Sequence, residues 1–288
     1  MKKGLVLEGG ALRGLFSAGV MDVLMENGIE FDGAIGVSAG AAFGCNYKSG
    51  QIGRVIRYQK RFIGDKRYRS FSSLIKTGDL FNAEFCYHTV PDELDIFDGK
   101  AFEASPMEFY VVAADIETGE AVYRKCEKAG HEFLEWIRAS ASLPLAANIV
   151  EISGQKLMDG GLIDSIPIRF FESIGYDKNL VVLTQPRGFV KEKNKMLPIL
   201  RLVMKKYPKL IDAVARRHDV YNETTEYIFE QEKKGNCFVI CPDEPLGISI
   251  MEKDTAELDR VYMLGRKAAE KNLTKLKEYF YRCKHDQI

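Results

Sequence analysis

The sequence predicts an α/β fold in which a mostly parallel central sheet is flanked by helices. Two observations support this prediction. Five short runs are apolar at both odd and even positions, as expected of strands that are covered on both faces. Helical patterns separate these runs, and alternating strands and helices are typical of a parallel sheet. The predicted strands are residues 4–7, 34–37, 109–113, 180–183 and 237–240.

The elements between the strands are predicted from periodicity and capping signals. Apolar residues recur at helical spacing in 16–24, 52–63 and 258–280, so each of these segments is expected to bury one face of a helix. Residues 115–123 (DIETGEAVY) resemble a hairpin turn attached to one strand. Residues 64–105 lack clear periodicity and are expected to form a long cap over a site.

The composition limits the functional classes. The chain has 288 residues, 46% of them hydrophobic, which is enough for a sizeable core. Its 41 basic and 41 acidic residues balance, which argues against a nucleic-acid partner. Because no C-x-x-C pair occurs among six cysteines, we expect no metal or redox site and reduced thiols in a cytoplasmic protein. No run approaches the ~20 apolar residues of a membrane span, and no signal peptide is evident. We therefore expect at most a peripheral attachment to a membrane.

A candidate nucleophile lies at the second predicted strand-to-helix junction. Residues 36–40 (GVSAG) fit the pattern G-x-S-x-G, in which a sharp turn projects the hydroxyl of Ser38 clear of the sheet. Gly36 and Gly40 would let the incoming strand and the outgoing helix pass closely. The alternative is an ordinary glycine-rich turn.

A glycine pair after the first strand raises a second question. Residues 5–14 (LVLEGGALRG) could bind a phosphate, could stabilise a developing oxyanion, or could form only a tight turn. Glycine lets the backbone approach a ligand closely, and a following helix N-terminus adds positive potential. The segment also resembles a degenerate dinucleotide fingerprint, but the acids Glu30 and Asp32 precede the second strand instead of ending it. The serine turn favours the oxyanion interpretation.

A serine nucleophile also needs a base. Among the four histidines, His218 is the serious candidate for a Ser-acid-His triad, although it follows two arginines in a predicted helix. Asp159, in the segment LMDGGLIDSIP, is a carboxylate alternative. Burial beside the serine would have to raise its pKa above the usual ~3.9. Asp159 could instead belong to an Asp-Gly hairpin turn.

Three motifs in this order, GGALRG, GVSAG and DGG, resemble the patatin-like phospholipases, which are acyl hydrolases with a Ser-Asp dyad. The resemblance covers roughly residues 4–168 and includes the segment ASASLPLAANIVEISGQKLMDGG. It implies a three-layer sandwich with Ser38 as nucleophile and Asp159 as base. The other implied site residues are Gly9, Gly10, Ala11 and Arg13 in the oxyanion loop and Gly160 and Gly161 after the aspartate. The family usually has a third glycine where this chain has Ala11.

Together these observations predict a serine acyl hydrolase of the lipid esterase, phospholipase A or lysophospholipase type, which acts on a lipid or acyl ester without a cofactor. Two alternatives stay open: a Ser-Asp-His hydrolase that uses His218, and a non-catalytic lipid- or nucleotide-binding module. We expect one domain over residues 1–288, with a catalytic core at about 4–185 and a helical C-terminal extension at about 186–288. The oligomeric state is left open.

One segment suggests contact with a membrane surface. Residues 54–71 (RVIRYQKRFIGDKRYRSF) combine seven basic residues with interleaved aromatic residues and one acid. This mixture suits an anionic lipid surface. The alternative is an amphipathic helix whose basic face is solvated.

Overall fold

A single eight-stranded sheet forms the centre of the computed structural model, which describes residues 1–281. Its strand order is β5-β6-β3-β2-β1-β7-β8, with β4 paired to β3 beside this path. The strands are β1 Lys3–Leu7, β2 Gly33–Val37, β3 Glu108–Asp115, β4 Glu120–Lys125, β5 Val150–Ile152, β6 Gln155–Asp159, β7 Lys178–Val182 and β8 Cys237–Ile240. The five strands predicted from the sequence are all present, and the predicted hairpin joins β3 to β4 in antiparallel pairing.

Helices cover both faces of this sheet. They are α1 Gly14–Glu26, α2 Ala39–Lys48, α3 Arg54–Phe62, α4 Phe71–Thr77, α5 Gly99–Ala104, α6 His131–Ser140, α7 Ile168–Ser173, α8 Leu197–Val203, α9 Pro208–Lys233 and α10 Thr255–Tyr281, and a wide π-type helix spans Phe85–Leu94. Alternate residues of one strand serve the two faces: Leu5 and Leu7 join one core cluster, and Val6 joins the other. The fold is therefore a three-layer α/β sandwich, as predicted.

The parallel part of the sheet is formed by β3, β2, β1, β7 and β8. At the other end, β6 pairs antiparallel with the last residues of β3 and with β5. This change of direction matters for the site, because it returns the end of β6 to the edge at which β1 and β2 also end.

The chain beyond residue 185 contributes to the sheet as well as to the helices. It supplies α8, α9 and α10, and its strand β8 pairs with β7. The single-domain boundaries stay a prediction. Among the helices of residues 1–281, none is both long enough and apolar enough to cross a bilayer.

Candidate active site

Ser38 occupies a strained turn between β2 and α2. Its φ and ψ angles are 55° and −121°, a region that side-chain-bearing residues rarely adopt. The turn depends on Gly36, where a Cβ would lie 2.4 Å from the Gly40 carbonyl oxygen, and on Gly40, where it would lie 2.4 Å from that of Leu7. The sequence-predicted sharp turn is thus present, with both glycines where close backbone approach requires them.

A buried serine that was not predicted holds this turn. The Ser38 N–H donates to Ser140 Oγ at 2.8 Å, and the Ser140 hydroxyl donates to the Val112 carbonyl at 2.6 Å. Ser140 is the last residue of α6 and is fully buried. It lies in the segment ASASLP, but nothing in its local pattern indicates that it contacts a residue 102 positions away.

The register of the sheet brings Asp159 to the same edge as Ser38. Val37 lies beside Val112 of β3, and the next residue of β3, Ala113, lies beside Asp159. The residue that follows Val37 and the last residue of β6 therefore meet at β3. Asp159 begins a 3-10 turn, Gly160–Leu162, and not the Asp-Gly hairpin considered above.

The Asp159 carboxylate is 2% exposed and accepts the Gly161 N–H at 2.8 Å. Burial raises its pKa above the ordinary value. The neighbouring Ser38 hydroxyl, the charge of Arg217 and the Gly161 N–H each lower the pKa, but they offset only part of this effect. A carboxylate with a raised pKa beside a serine hydroxyl has the disposition of a general base.

The glycine loop that follows β1 (Gly9, Gly10 and Ala11) presents backbone N–H groups as hydrogen-bond donors. Within residues 1–281, the N–H groups of Gly10 and Ala11 donate to no protein acceptor. Ala11 has a φ of 47°, in the left-handed region that favours glycine, so the family's usual third glycine is replaced by a residue that adopts the strained conformation. These donors can receive an oxyanion, although the assignment stays a prediction.

Arg13 follows this loop in a 3-10 turn and is half-buried. Its Nε is buried without a hydrogen-bond partner among the described residues. No salt bridge is found for Arg13 among residues 1–281.

The histidines have other neighbours. His218 Nε2 lies 3.2 Å from Asp219, its neighbour in sequence, and not within salt-bridge distance of Asp159. His285 lies outside the described residues.

In the described chain, His88, His131 and Glu135 form the cluster that could hold a metal ion, with ligand atoms within 4.8 Å of one another; Glu135 also accepts hydrogen bonds from Arg138. Asp32, considered for a nucleotide, accepts the Lys3 N–H at the start of β1, away from the glycine loop.

Helix α9 completes the surroundings of the site, which the sequence did not predict. Arg217 donates its Nε–H to the Gly161 carbonyl, and Tyr221 donates its hydroxyl to Glu8 at 2.8 Å. Glu8 immediately precedes the glycine loop, is buried, and also accepts the Thr184 N–H at 2.5 Å. Both loops of the site are therefore fixed by residues more than fifty positions away.

A cavity opens beside Ser38, and no residue of α9 lines it. Its lining is mostly apolar and includes Leu12, Phe43, Val90, Leu134, Ile137 and Leu143. Part of the wall comes from residues 68–97, within the segment that was predicted to cap a site. A cavity of this kind suits an acyl chain.

Comparison with known proteins agrees with this arrangement. The model of the patatin-like phospholipase family matches residues 5–171, more than half of the chain. The chain belongs to the patatin-like phospholipase family. Membership of this family supports a lipid hydrolase. A second model, a domain of unknown function (DUF6363), matches residues 207–281, which include α9.

The relatives extend the comparison at low identity. The uncharacterized protein YjjU of Escherichia coli is 26% identical over 91% of this chain and 74% of its own length. The uncharacterized NTE family protein Rv1063c of Mycobacterium tuberculosis is 27% identical over 62% of this chain and 48% of its own. Lysophospholipase nte1 of Aspergillus niger is 26% identical over 95% of this chain, which spans only 18% of that protein. VipD of Legionella pneumophila, a solved structure, aligns over 95% of this chain and 67% of its own length at 14% identity, with a TM-score of 0.46.

Proposed function

We propose that the protein is a serine acyl hydrolase of the lysophospholipase or phospholipase A type that uses a Ser38–Asp159 dyad. One observation carries the proposal: a serine on a strained strand-to-helix turn lies beside a buried carboxylate whose pKa burial has raised. The relative named a lysophospholipase and the apolar cavity beside Ser38 support a lipid ester as substrate.

In this mechanism, Asp159 accepts the Ser38 proton while Oγ forms a bond to the acyl carbonyl carbon. The N–H groups of Gly10 and Ala11 stabilise the negative charge that develops on the carbonyl oxygen. The proton then passes to the leaving alcohol as its C–O bond breaks, which leaves an acyl-enzyme. Water attacks this ester with Asp159 again as base, and the fatty acid is released.

Labelling with a fluorophosphonate tests the proposal. The wild-type serine should react covalently, whereas Ser38→Ala should not be labelled and should lose ~10⁴–10⁶ in turnover of a short-chain ester. His218→Ala should keep most of the activity, because the carboxylate beside His218 is Asp219 and not Asp159. A folded wild-type protein that neither reacts nor hydrolyses esters would favour a non-catalytic binding module. Loss of activity in His218→Ala would favour the triad.

We also propose that the protein meets its substrate at an anionic lipid surface through α8. Ile199, Leu202 and Val203 are 48%, 73% and 57% exposed there, and the neighbouring cations Arg201, Lys205 and Lys206 are exposed too. Apolar side chains flanked by cations suit the boundary of an anionic bilayer.

The basic segment 54–71 is less suited to this contact. Arg54 and Arg57 both pair with Asp95, and Arg69 is 2% exposed and donates to the carbonyls of Ile250 and Glu252. These cations serve the fold, so the α8 surface is the better candidate.

A further inference from the structure

Three half-buried cations from separate parts of the chain surround Glu8 and the Asp159 loop. Arg13 follows the glycine loop, Lys191 lies in the segment after β7, and Arg217 lies on α9. Each is close enough to Glu8 for their charges to interact. The cluster is therefore centred on the residue that precedes the oxyanion loop.

The side chains of Arg217 and Lys191 are held in place. Arg217 donates to the Gly161 carbonyl. Lys191 Nζ lies 4.3 Å from the centroid of the Tyr221 ring, and the Lys191 backbone exchanges hydrogen bonds of 2.8 and 3.1 Å with the Asn222 side chain. Helix α9 thus carries one cation and positions another.

The cluster has more positive charge than its surroundings balance. In the chain up to residue 281, no carboxylate oxygen lies within 4 Å of the charged nitrogens of Arg13, Lys191 or Arg217. Two buried carboxylates, Glu8 and Asp159, are close enough for their charges to interact with these three cations, but burial raises the pKa of both and so disfavours their charged forms. Burial, together with the charge of Arg217, lowers the pKa of Lys191 to about 8. Partly desolvated cations without a carboxylate in direct contact favour an external anion.

We infer that Arg13, Lys191 and Arg217 form a subsite for the phosphate group of the lipid substrate. The subsite lies on the α9 side of the catalytic residues, and none of its three cations is among the residues that line the apolar cavity. An ester carbonyl at Ser38 would then place the acyl chain in the cavity and the head-group phosphate among the cations. Two guanidinium groups and an ammonium supply the several donors that phosphate oxygens accept. This inference rests on the proposed function and specifies its substrate as a phosphate-containing acyl ester.

Two of the three cations lie beyond the region that the patatin-like model matches. Lys191 follows residue 171, and Arg217 belongs to the region 207–281 that the second family model matches. The inferred role of these two residues, and with them of the chain beyond residue 171, is recognition of the head group.

Paired substrates test the subsite. Lysophosphatidylglycerol and a monoacylglycerol with the same acyl chain are presented in neutral detergent micelles, and kcat/KM is measured for each. We expect the wild type to prefer the phosphate ester by about tenfold or more, and Lys191→Gln to abolish most of this preference. Lys193→Gln, an exposed lysine two residues away, should leave the preference unchanged.

Arg217 has a matched control in its exposed neighbour, Arg216. Arg217→Gln should reduce the preference, and Arg216→Gln should not. Because Arg217 also holds the Gly161 carbonyl, its loss should lower the hydrolysis of both esters in addition to the preference. Lys191→Gln, which leaves that contact intact, is the decisive variant.

The possible outcomes test the phosphate subsite separately from the proposed hydrolase activity. Equal wild-type kcat/KM for the two esters, or an unchanged preference in Lys191→Gln, would overturn the subsite while the hydrolase stands. Competitive inhibition of monoacylglycerol hydrolysis by inorganic phosphate, without a preference between the esters, would assign the cations to free phosphate and overturn the head-group role. If neither ester is hydrolysed and Ser38 is not labelled by a fluorophosphonate, the proposed function itself fails.

Discussion

Replacing Ser140 by alanine removes one hydroxyl that makes two buried hydrogen bonds beneath the nucleophile turn. The Ser38 N–H loses its acceptor at 2.8 Å, and the Val112 carbonyl loses a donor at 2.6 Å. A buried polar group left without a partner costs ~1–3 kcal/mol, so the two together should cost about 3 kcal/mol of unfolding free energy. Deleting one hydroxyl leaves less space than a water molecule occupies, so we expect little compensation by solvent.

The stability change is measurable by urea unfolding, followed by the fluorescence of Trp136, which lies one turn before Ser140 in α6. Turnover should fall by ~10–100-fold because the turn loses its fixed geometry. KM should change little, because Ser140 does not line the cavity. Ser142→Ala is the matched control: its hydroxyl donates to the Arg138 carbonyl one helical turn back, and its loss should cost less than about 1 kcal/mol. Wild-type stability and kcat in Ser140→Ala would show that these hydrogen bonds do not hold the turn.

Two further predictions concern the base and the lipid surface. Asp159→Asn should lose ~10⁴–10⁶ in turnover yet raise stability near neutral pH, because the raised pKa means that folding disfavours the charged carboxylate. The wild type should accordingly gain stability and lose kcat/KM as pH falls through this raised pKa. A kcat/KM that stays constant down to the ordinary pKa range of an aspartate would contradict the assignment of Asp159 as base. Replacing both Leu202 and Val203 by serine should weaken cosedimentation with phosphatidylglycerol vesicles about thirtyfold, which corresponds to about 2 kcal/mol of apolar burial. Replacing Lys66 and Arg67 by glutamine should change it little, and the reverse ranking would return the contact to residues 54–71.

Local signals predicted the parts of this molecule that depend on local geometry. Strand β2 and the turn at Ser38 follow from an apolar run and two spaced glycines, and the structure shows why each glycine is needed. The parallel strands were predictable because burial on both faces makes them apolar at every position. The short antiparallel strands β5 and β6 were not predicted, because Val150–Ile152 and Gln155–Asp159 are too short and mixed in character to produce a pattern.

The parts of the site that the sequence did not predict depend on contacts between residues that are far apart in sequence. Ser140 lies 102 residues from Ser38, and Arg217 lies 56 residues from Gly161. Each ends or interrupts an otherwise ordinary helix pattern, so nothing in its neighbours distinguishes it from a solvated residue. Tyr221, which fixes Glu8 from 213 residues away, is a similar case. Such residues are identified only when the topology places their helices against the loops.

The electrostatics of Asp159 connect the C-terminal segment to the proposed chemistry. A general base must be charged before it can accept a proton, and burial alone would drive this carboxylate towards its neutral form. Among the groups that lower its pKa, the charge of Arg217 comes from α9, outside the region that the patatin-like model matches. Without that cation, the pKa would rise further and a smaller fraction of Asp159 would be ionised at neutral pH. In the proposed dyad, the functional unit of this chain therefore extends through α9, since the helix that carries the inferred phosphate subsite also keeps the base available.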